Sequence, residues 1–385
     1  MSDSSVEWRI IPVEELRKWN LFSTMDDYFL QNIRLAHAHG MFGFLVTADD
    51  IVYVVGTNRK GALGIGGILE APSPVKIDPL CGQSVKEFVI AGITSPEFAS
   101  CFALTEDGRV FSWGSNSNGQ LGTHGAKKLT TPELIKFDSN VKIGQISVGD
   151  LHTLALTEDT GEVYSCGWNA YGQLGLGTDT DQYEPRKITA NFGNIRVKQI
   201  SCSSSSSFAL SESGEVYSWG HNGCEELGLG NATSATVPTK LIIDQPMKKI
   251  ANGSYHTLAL TLSGEIYACG DNASGQLGTG DTTRLSVLTK LSTDVGIFED
   301  ISSITGIQQS LGKVADKIFA WATNLKHFNA SSCIRMNLNL LKLAIFFVLC
   351  WAHFVSGAGF GRCPRGQYFS LQQNRCVASP VTRPG

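Results

Sequence analysis

Read for its hydrophobic and polar positions, the chain repeats one short pattern. Its fullest copy is Gly214 to Gly230, GEVYSWGHNGCEELGLG. A β-branched residue, an aromatic and a Trp, Cys or Val lead into an inner glycine, and a polar, glycine-rich loop follows. The inner glycine is Gly56, Gly114, Gly167, Gly220 and Gly270, with Ala322 in a decayed last copy, at intervals of 58, 53, 53, 50 and 52 residues. A fixed period of this size predicts a repeat architecture.

The register inside the repeat predicts its elements. Four places before the glycine stand Val52, Val110, Val163, Val216, Ile266 and Ile318, and the next place holds Tyr53, Phe111, Tyr164, Tyr217, Tyr267 and Phe319. β-branched and aromatic residues bounded by glycines predict a short strand. Two places after the glycine is Asn58, Asn116, Asn169, Asn222, Asn272 or Asn324, followed by pairs such as Leu121-Gly122 and Leu174-Gly175. Gly and Asn tolerate positive φ, so each strand is expected to run into a tight loop. Pro74, Pro132, Pro185 and Pro238 recur eighteen places after the glycine, with Leu288 in the fifth copy. A second half of the unit carries apolar strands at Phe98–Thr105, Leu151–Thr157, Ser205–Ser211 and Tyr255–Thr261, each led in by a segment such as Val141–Val148. About four short strands in ~50 residues is the size of one propeller blade.

The segments GRVFSWGSNSNGQLG, GEVYSCGWNAYGQLGLG and GEIYACGDNASGQLGTG, with the later YHTLALT, resemble the regulator of chromosome condensation repeat family over roughly residues 40 to 325. In style they are most similar to the members that join this propeller to a BTB domain, although no BTB segment follows here. The resemblance implies an all-β propeller, usually of seven blades, whereas the copies count to five whole blades and one composite, so the ring is expected to have six blades or to be an incomplete seven. A partly helical lead-in over residues 1–39 is expected, with Leu16, Trp19 and Phe29 as apolar anchors. The propeller is expected over 40–330, beginning at FGFLVT (Phe42 to Thr47) part-way through a blade. The last strand is expected to complete that blade. Gly312 and Lys313 replace the apolar pair of HTLALT, which predicts a weaker last blade.

The tail is different material. Lys342, the apolar run Leu343–Val355 and Ser356-Gly357-Ala358 have the form of a signal peptide, with Met336 as a natural start. Residues 331–358 therefore read as a linker and an apolar helix. That helix is signal-like and joined from a separate reading frame, or a membrane anchor over 338–358, or a plain C-terminal helix. Residues 359–385 form a short basic tail in which Cys363 and Cys376 suit one disulfide.

Charge narrows the partner. The chain has net charge −4, but residues 336–385 carry five basic residues and no acid, which leaves −9 ahead of them. An acidic propeller is poorly suited to gripping phosphate backbones, so no nucleic acid is expected. The upstream cysteines read as small buried hydrophobes in a reducing compartment, placing the propeller in the cytoplasm or nucleus unless the anchor reading holds. No CxxC pair supports a metal, and no P-loop supports a nucleotide cofactor, so neither is expected. His152 and His256 hold the same place in two copies and are expected to bond a neighbouring loop rather than catalyse. Ser203–Ser207 reads as a polar blade loop before a phosphorylation site. The sequons at Asn231, Asn252, Asn272 and Asn329 read as chance.

No catalytic set emerges, so two functions remain. One is a non-enzymatic scaffold or adaptor that recognises a protein through variable loop tips, with Asn116, Asn118, Trp168, Tyr171 and His221 as contact residues. The resemblance connects such a propeller to the substrate adaptors of ubiquitin ligases. The other is guanine-nucleotide exchange on a Ran-like small GTPase, which the founding member of the family performs. Exchange calls for an acidic wedge hairpin, and the even spacing of the copies shows no insertion of that kind.

Overall fold

The computed structural model describes residues 10–39, 41–57, 60–91, 99–125, 127–193, 195–292, 296–303 and 310–314, together with the strands Lys317–Trp321, Gln367–Ser370 and Arg375–Ala378. The chain divides into two compact units, Met1–Leu341 and Lys342–Gly385.

The first unit is a succession of antiparallel sheets, one for each repeat. Five have four strands in sequential order and span 33–76, 85–134, 143–187, 197–240 and 247–290, and a sixth of three described strands spans 300–321. They are numbered here as blades 1 to 6. In blade 3 the strands are Ile143–Val148, His152–Thr157, Val163–Gly167 and Gln182–Lys187. The first strand of each blade packs against the first strand of the next, so the first strands line the hub. The fourth strands, such as Gln182–Lys187, are largely exposed and form the rim. The architecture is the expected all-β propeller.

The inner glycine of the repeat is a backbone requirement. Gly56, Gly114, Gly167, Gly220 and Gly270 all have φ between 97° and 112°. A Cβ at Gly114 would stand 2.3 Å from the Ala99 carbonyl oxygen, and one at Gly220 would stand 2.7 Å from that of Ser205. Only glycine lets the third strand leave the sheet that close to its neighbour.

Each hydrophobic core lies between blades. Leu154 and Leu156 of blade 3 pack with Ile200, Ala209 and Trp219 of blade 4. Phe208 and Leu210 of blade 4 pack with Met247, Ile250 and Ala259 of blade 5. Alternate residues of a strand point to opposite faces, so Ala155, between the two leucines, joins the core shared with blade 2. No blade can hide its apolar faces alone.

Two single-turn helices, Val13–Leu16 and Asp27–Leu30, form the lead-in. Leu16, Phe22 and Leu30 are buried there, with Trp19 and Phe29 packed alongside. Asp26 caps the second helix by accepting the Tyr28 N–H at 2.8 Å.

Two expectations are corrected. Ile33–His39, assigned to the lead-in, pairs with Phe42–Thr47 as the first strand of blade 1. Blade 1 therefore has four strands of its own, and Lys317–Trp321 pairs with Ser310–Val314 of blade 6 rather than completing it. In the second unit, Gln367–Ser370 and Arg375–Ala378 form a hairpin. The apolar helix expected over 338–358 and Cys363 of the expected disulfide lie outside the described residues. No helix among the described residues is long and apolar enough to cross a membrane.

Candidate partner-binding face

The loops after the third strands are built on a common frame. In blade 3, Asn169 Oδ1 accepts the Leu174 N–H at 2.9 Å, while Nδ2 donates to the carbonyls of Thr178 and Thr180 at 2.9 and 3.1 Å. Asn222 and Asn272 do the same for Leu227 and Leu277, at 2.9 and 3.0 Å. Four residues after each Asn comes a buried Gln or Glu whose side-chain oxygen takes a backbone N–H at the loop tip. Gln120 holds Asn118, Gln173 holds Tyr171, Glu226 holds Cys224 and Gln276 holds Ser274, at 2.8 to 3.0 Å.

A second set of bonds crosses from blade to blade. The carbonyl of Gln173 in blade 3 accepts two donors from blade 4, the Ser207 hydroxyl at 2.7 Å and the Trp219 indole N–H at 2.9 Å. The carbonyl of Gln120 accepts Thr153 Oγ1 at 2.8 Å and the Cys166 thiol at 3.7 Å. Glu226 likewise accepts Thr257 at 2.8 Å and Cys269 at 3.5 Å. The Trp-or-Cys position of the motif is thus a donor to the preceding blade. His152 and His256 bond the neighbouring blade, although the partners stand on strands rather than in the expected loop. Their Nε2 atoms lie 2.9 and 2.8 Å from the hydroxyls of Ser207 and Ser310 in the next blade. Burial lowers both imidazoles to about 4, so they are neutral at physiological pH.

On this rigid frame the tips differ. Trp168 and Tyr171 of blade 3 meet edge to face at 5.4 Å between ring centroids, and Tyr171 meets His221 of blade 4 at 4.7 Å. His221 in turn faces Tyr255 at the entry to blade 5, at 6.5 Å. Tyr171 and Tyr255 are 41% and 39% exposed, enough to present their rings to a partner. His221 Nδ1 donates to Glu226 Oε1 at 2.6 Å, and that hydrogen bond raises the imidazole above its ordinary range. Burial raises the Tyr255 phenol, and the charges of Asp150, Cys224 and Glu226 add to the effect.

Trp168, Tyr171 and His221 are therefore brought together as one row across two blades. Asn116 is not part of it. It is 1% exposed, and its side chain is spent on the Leu121 N–H and the Thr123 carbonyl. Asn118 is half-buried and reaches Asp181 of blade 3 at 3.5 Å, so it ties loops rather than ending the row. Tyr255 was missed. Its signal was an aromatic at the repeat place that holds Leu151 and Ser205 elsewhere. Ser206 and Ser207, in the expected polar loop, are buried in a strand with bonded hydroxyls. Asn272 is fully buried, which removes it as a glycan acceptor in the fold. Cys81, Cys101, Cys166, Cys202, Cys224 and Cys269 are free thiols, and burial raises Cys166 and Cys202 to about 12, which leaves them unreactive. Among the described residues no group of side chains is arranged to hold a metal.

Comparison with known proteins agrees with this geometry. The chain is 34% identical over 190 residues to the ultraviolet-B receptor UVR8 of Arabidopsis thaliana, covering 49% of this chain and 41% of that protein. It is 35% identical over 201 residues to the human E3 ubiquitin-protein ligase HERC2, covering 51% of this chain and 4% of that protein. The chain thus spans less than half the length of these relatives. Among solved structures, yeast Prp20p superposes with a TM-score of 0.62 at 23% identity, covering 81% of this chain and 77% of that one. Human WBSCR16 gives 0.59 at 21% identity, covering 76% and 72%. These likenesses show the fold. The model of the RCC1-like domain matches residues 51–326, and since that stretch is most of the chain, the protein belongs to the RCC1-like domain family.

Proposed function

We propose that this propeller is a non-enzymatic binding module, a scaffold or adaptor that recognises a protein through the loop face of blades 3 to 5. The observation that carries the reading is the row Trp168, Tyr171, His221 and Tyr255, exposed at its two tyrosines and seated on loops pinned by buried hydrogen bonds. Rigid aromatic side chains offer large contact area at low entropic cost and dominate binding hot spots. The −9 balance ahead of Met336 favours a protein over a nucleic acid. Relatives that carry ubiquitin-ligase activity in their names support an adaptor role.

The reading is tested by placing a photo-crosslinking amino acid at Tyr171 and, separately, at Thr131 on the exposed rim strand Lys128–Leu134 of blade 2. A discrete protein adduct at 171 and none at 131 is expected. Equal labelling at both sites would refute the face. Exchange on a Ran-like small GTPase is the second reading, kept by the likeness to Prp20p, whose structure is described with its binding to Gsp1p and histones. Nucleotide release from a panel of small GTPases decides it, and acceleration by this chain would reverse the order.

A further inference from the structure

The aromatic row has a charge environment as well as a shape. Asp150 and Glu226 both act on Tyr255, and Glu225, Glu226 and Asp271 gather around Cys224 at the same edge. Tyr171 and Tyr255 flank His221; of the acids of blades 3, 4 and 5 near them, Asp150 is exposed, Glu225 is half-buried, and Glu226 and Asp271 are buried. The two cations placed here are already engaged from within. His221 is held by Glu226, and Arg284 is turned to Asp271 at 4.0 Å and to the Gly223 carbonyl at 3.3 Å. Glu226 also stands where other blades have glutamine, at Gln120, Gln173 and Gln276. The backbone N–H of Cys224 is held as glutamine would hold it, and the other carboxylate oxygen takes His221 and the Ser206 hydroxyl.

We propose that this face docks an arginine-bearing, basic segment of a partner protein, with a guanidinium stacked against Tyr171 or Tyr255 inside the ring of acids. The proposal rests on the binding reading and adds the chemistry of the partner. Exposed aromatic faces attract a cation by their quadrupole, and arginine stacks on them better than lysine. Neighbouring carboxylates steer the cation and reject acidic segments. They also repel phosphates, which sets this row apart from the aromatic platforms that stack nucleic-acid bases in a basic groove.

The test uses the full chain and fluorescein-labelled peptides of the repeat Gly-Arg-Gly, their lysine and glutamate counterparts, and a twelve-residue oligothymidine. Anisotropy is read at low and high salt. Binding is expected in the order arginine, lysine, glutamate, and is expected to weaken with salt as exposed charges are screened. Tyr171→Ala and Tyr255→Ala should each weaken the arginine peptide by about two- to fivefold, the worth of one exposed cation–π contact. Asp150→Asn should also weaken it, and Thr131→Val on the rim of blade 2 should not. Equal affinity for the glutamate peptide, tighter binding of oligothymidine, or no response to either tyrosine variant would each overturn the proposal. If position 171 still cross-links a protein while the arginine peptide shows no preference, the binding face stands and the cation is wrong.

Discussion

Thr153→Val isolates the bond that holds blade 3 to blade 2. The substitution keeps the β-branched shape and the strand preference and removes only the hydroxyl. Thr153 is 4% exposed, and its Oγ1 donates to the Gln120 carbonyl at 2.8 Å. The other donor to that carbonyl is the Cys166 thiol at 3.7 Å, a weak one. The variant therefore leaves a buried acceptor nearly orphaned. Loss of the bond and the desolvated carbonyl together cost about 1–3 kcal/mol. Thr131→Val, on the exposed rim strand Lys128–Leu134 of blade 2, is the matched control and should change stability by less than about 0.5 kcal/mol. Denaturant unfolding of both variants measures the difference. Cys166→Ala sharpens it, because removing the thiol should cost more in the Thr153→Val background than alone, and a double-mutant cycle reads that excess. If Thr153→Val is as stable as the rim control, water satisfies the carbonyl, and the inter-blade hydroxyl does not tie the ring.

Three further outcomes follow from the same frame. Asn169→Ala removes one buried and two part-buried hydrogen bonds and should cost about 2–4 kcal/mol, with limited proteolysis cutting first between residues 169 and 182. Burial holds His152 and His256 near 4, below the ordinary 6.5, so the unfolded chain binds more protons between those values and stability falls as pH drops from about 6.5 towards 4. The loss is at most on the order of 3 kcal/mol for each histidine. Stability measured against pH should flatten in that window when both become glutamine, and an unchanged slope would refute the assignment. Glu226→Gln should fold, since a glutamine oxygen can still take the Cys224 N–H, but His221 should lose the hydrogen bond that raises its pKa and titrate at lower pH by NMR. A titration that does not move would mean that Glu226 is not the cause.

The fold was legible where geometry leaves one residue type. A glycine with φ near 100° facing a carbonyl across the sheet has no substitute, so five copies of it marked five strand ends. Asn and Leu of the loop frame were legible for the same reason. Ile33–His39 was not, because IRLAHAH mixes polar and apolar residues without the glycine brackets. The other hub strands share that mixture, as in Val197–Cys202 and Met247–Asn252, since only part of each strand meets a neighbouring blade. At the face, a loop tip could be found but not its burial. Asn116 and Tyr171 lie in equivalent loops, and only packing shows that the first is spent inside while the second is presented outside.

The division of labour within each repeat explains why the face lies where it does. The places immediately after the inner glycine hold Thr57, Ser115, Trp168, His221 and Asp271, and the places four after it hold Lys60, Asn118, Tyr171, Cys224 and Ser274. Between them stands an Asn in every copy, bonded into the loop wherever the structure describes its side chain. The fixed residue therefore carries the geometry, and its neighbours differ from copy to copy. Recognition is written on those neighbours. Blades 3 and 4 place Trp168, Tyr171 and His221 there, and the entry to blade 5 adds Tyr255, because adjacent blades bring equivalent tips within ring contact. A propeller of identical loops would have the same cores and the same latches, but its surface would offer a partner nothing to distinguish one blade from the next.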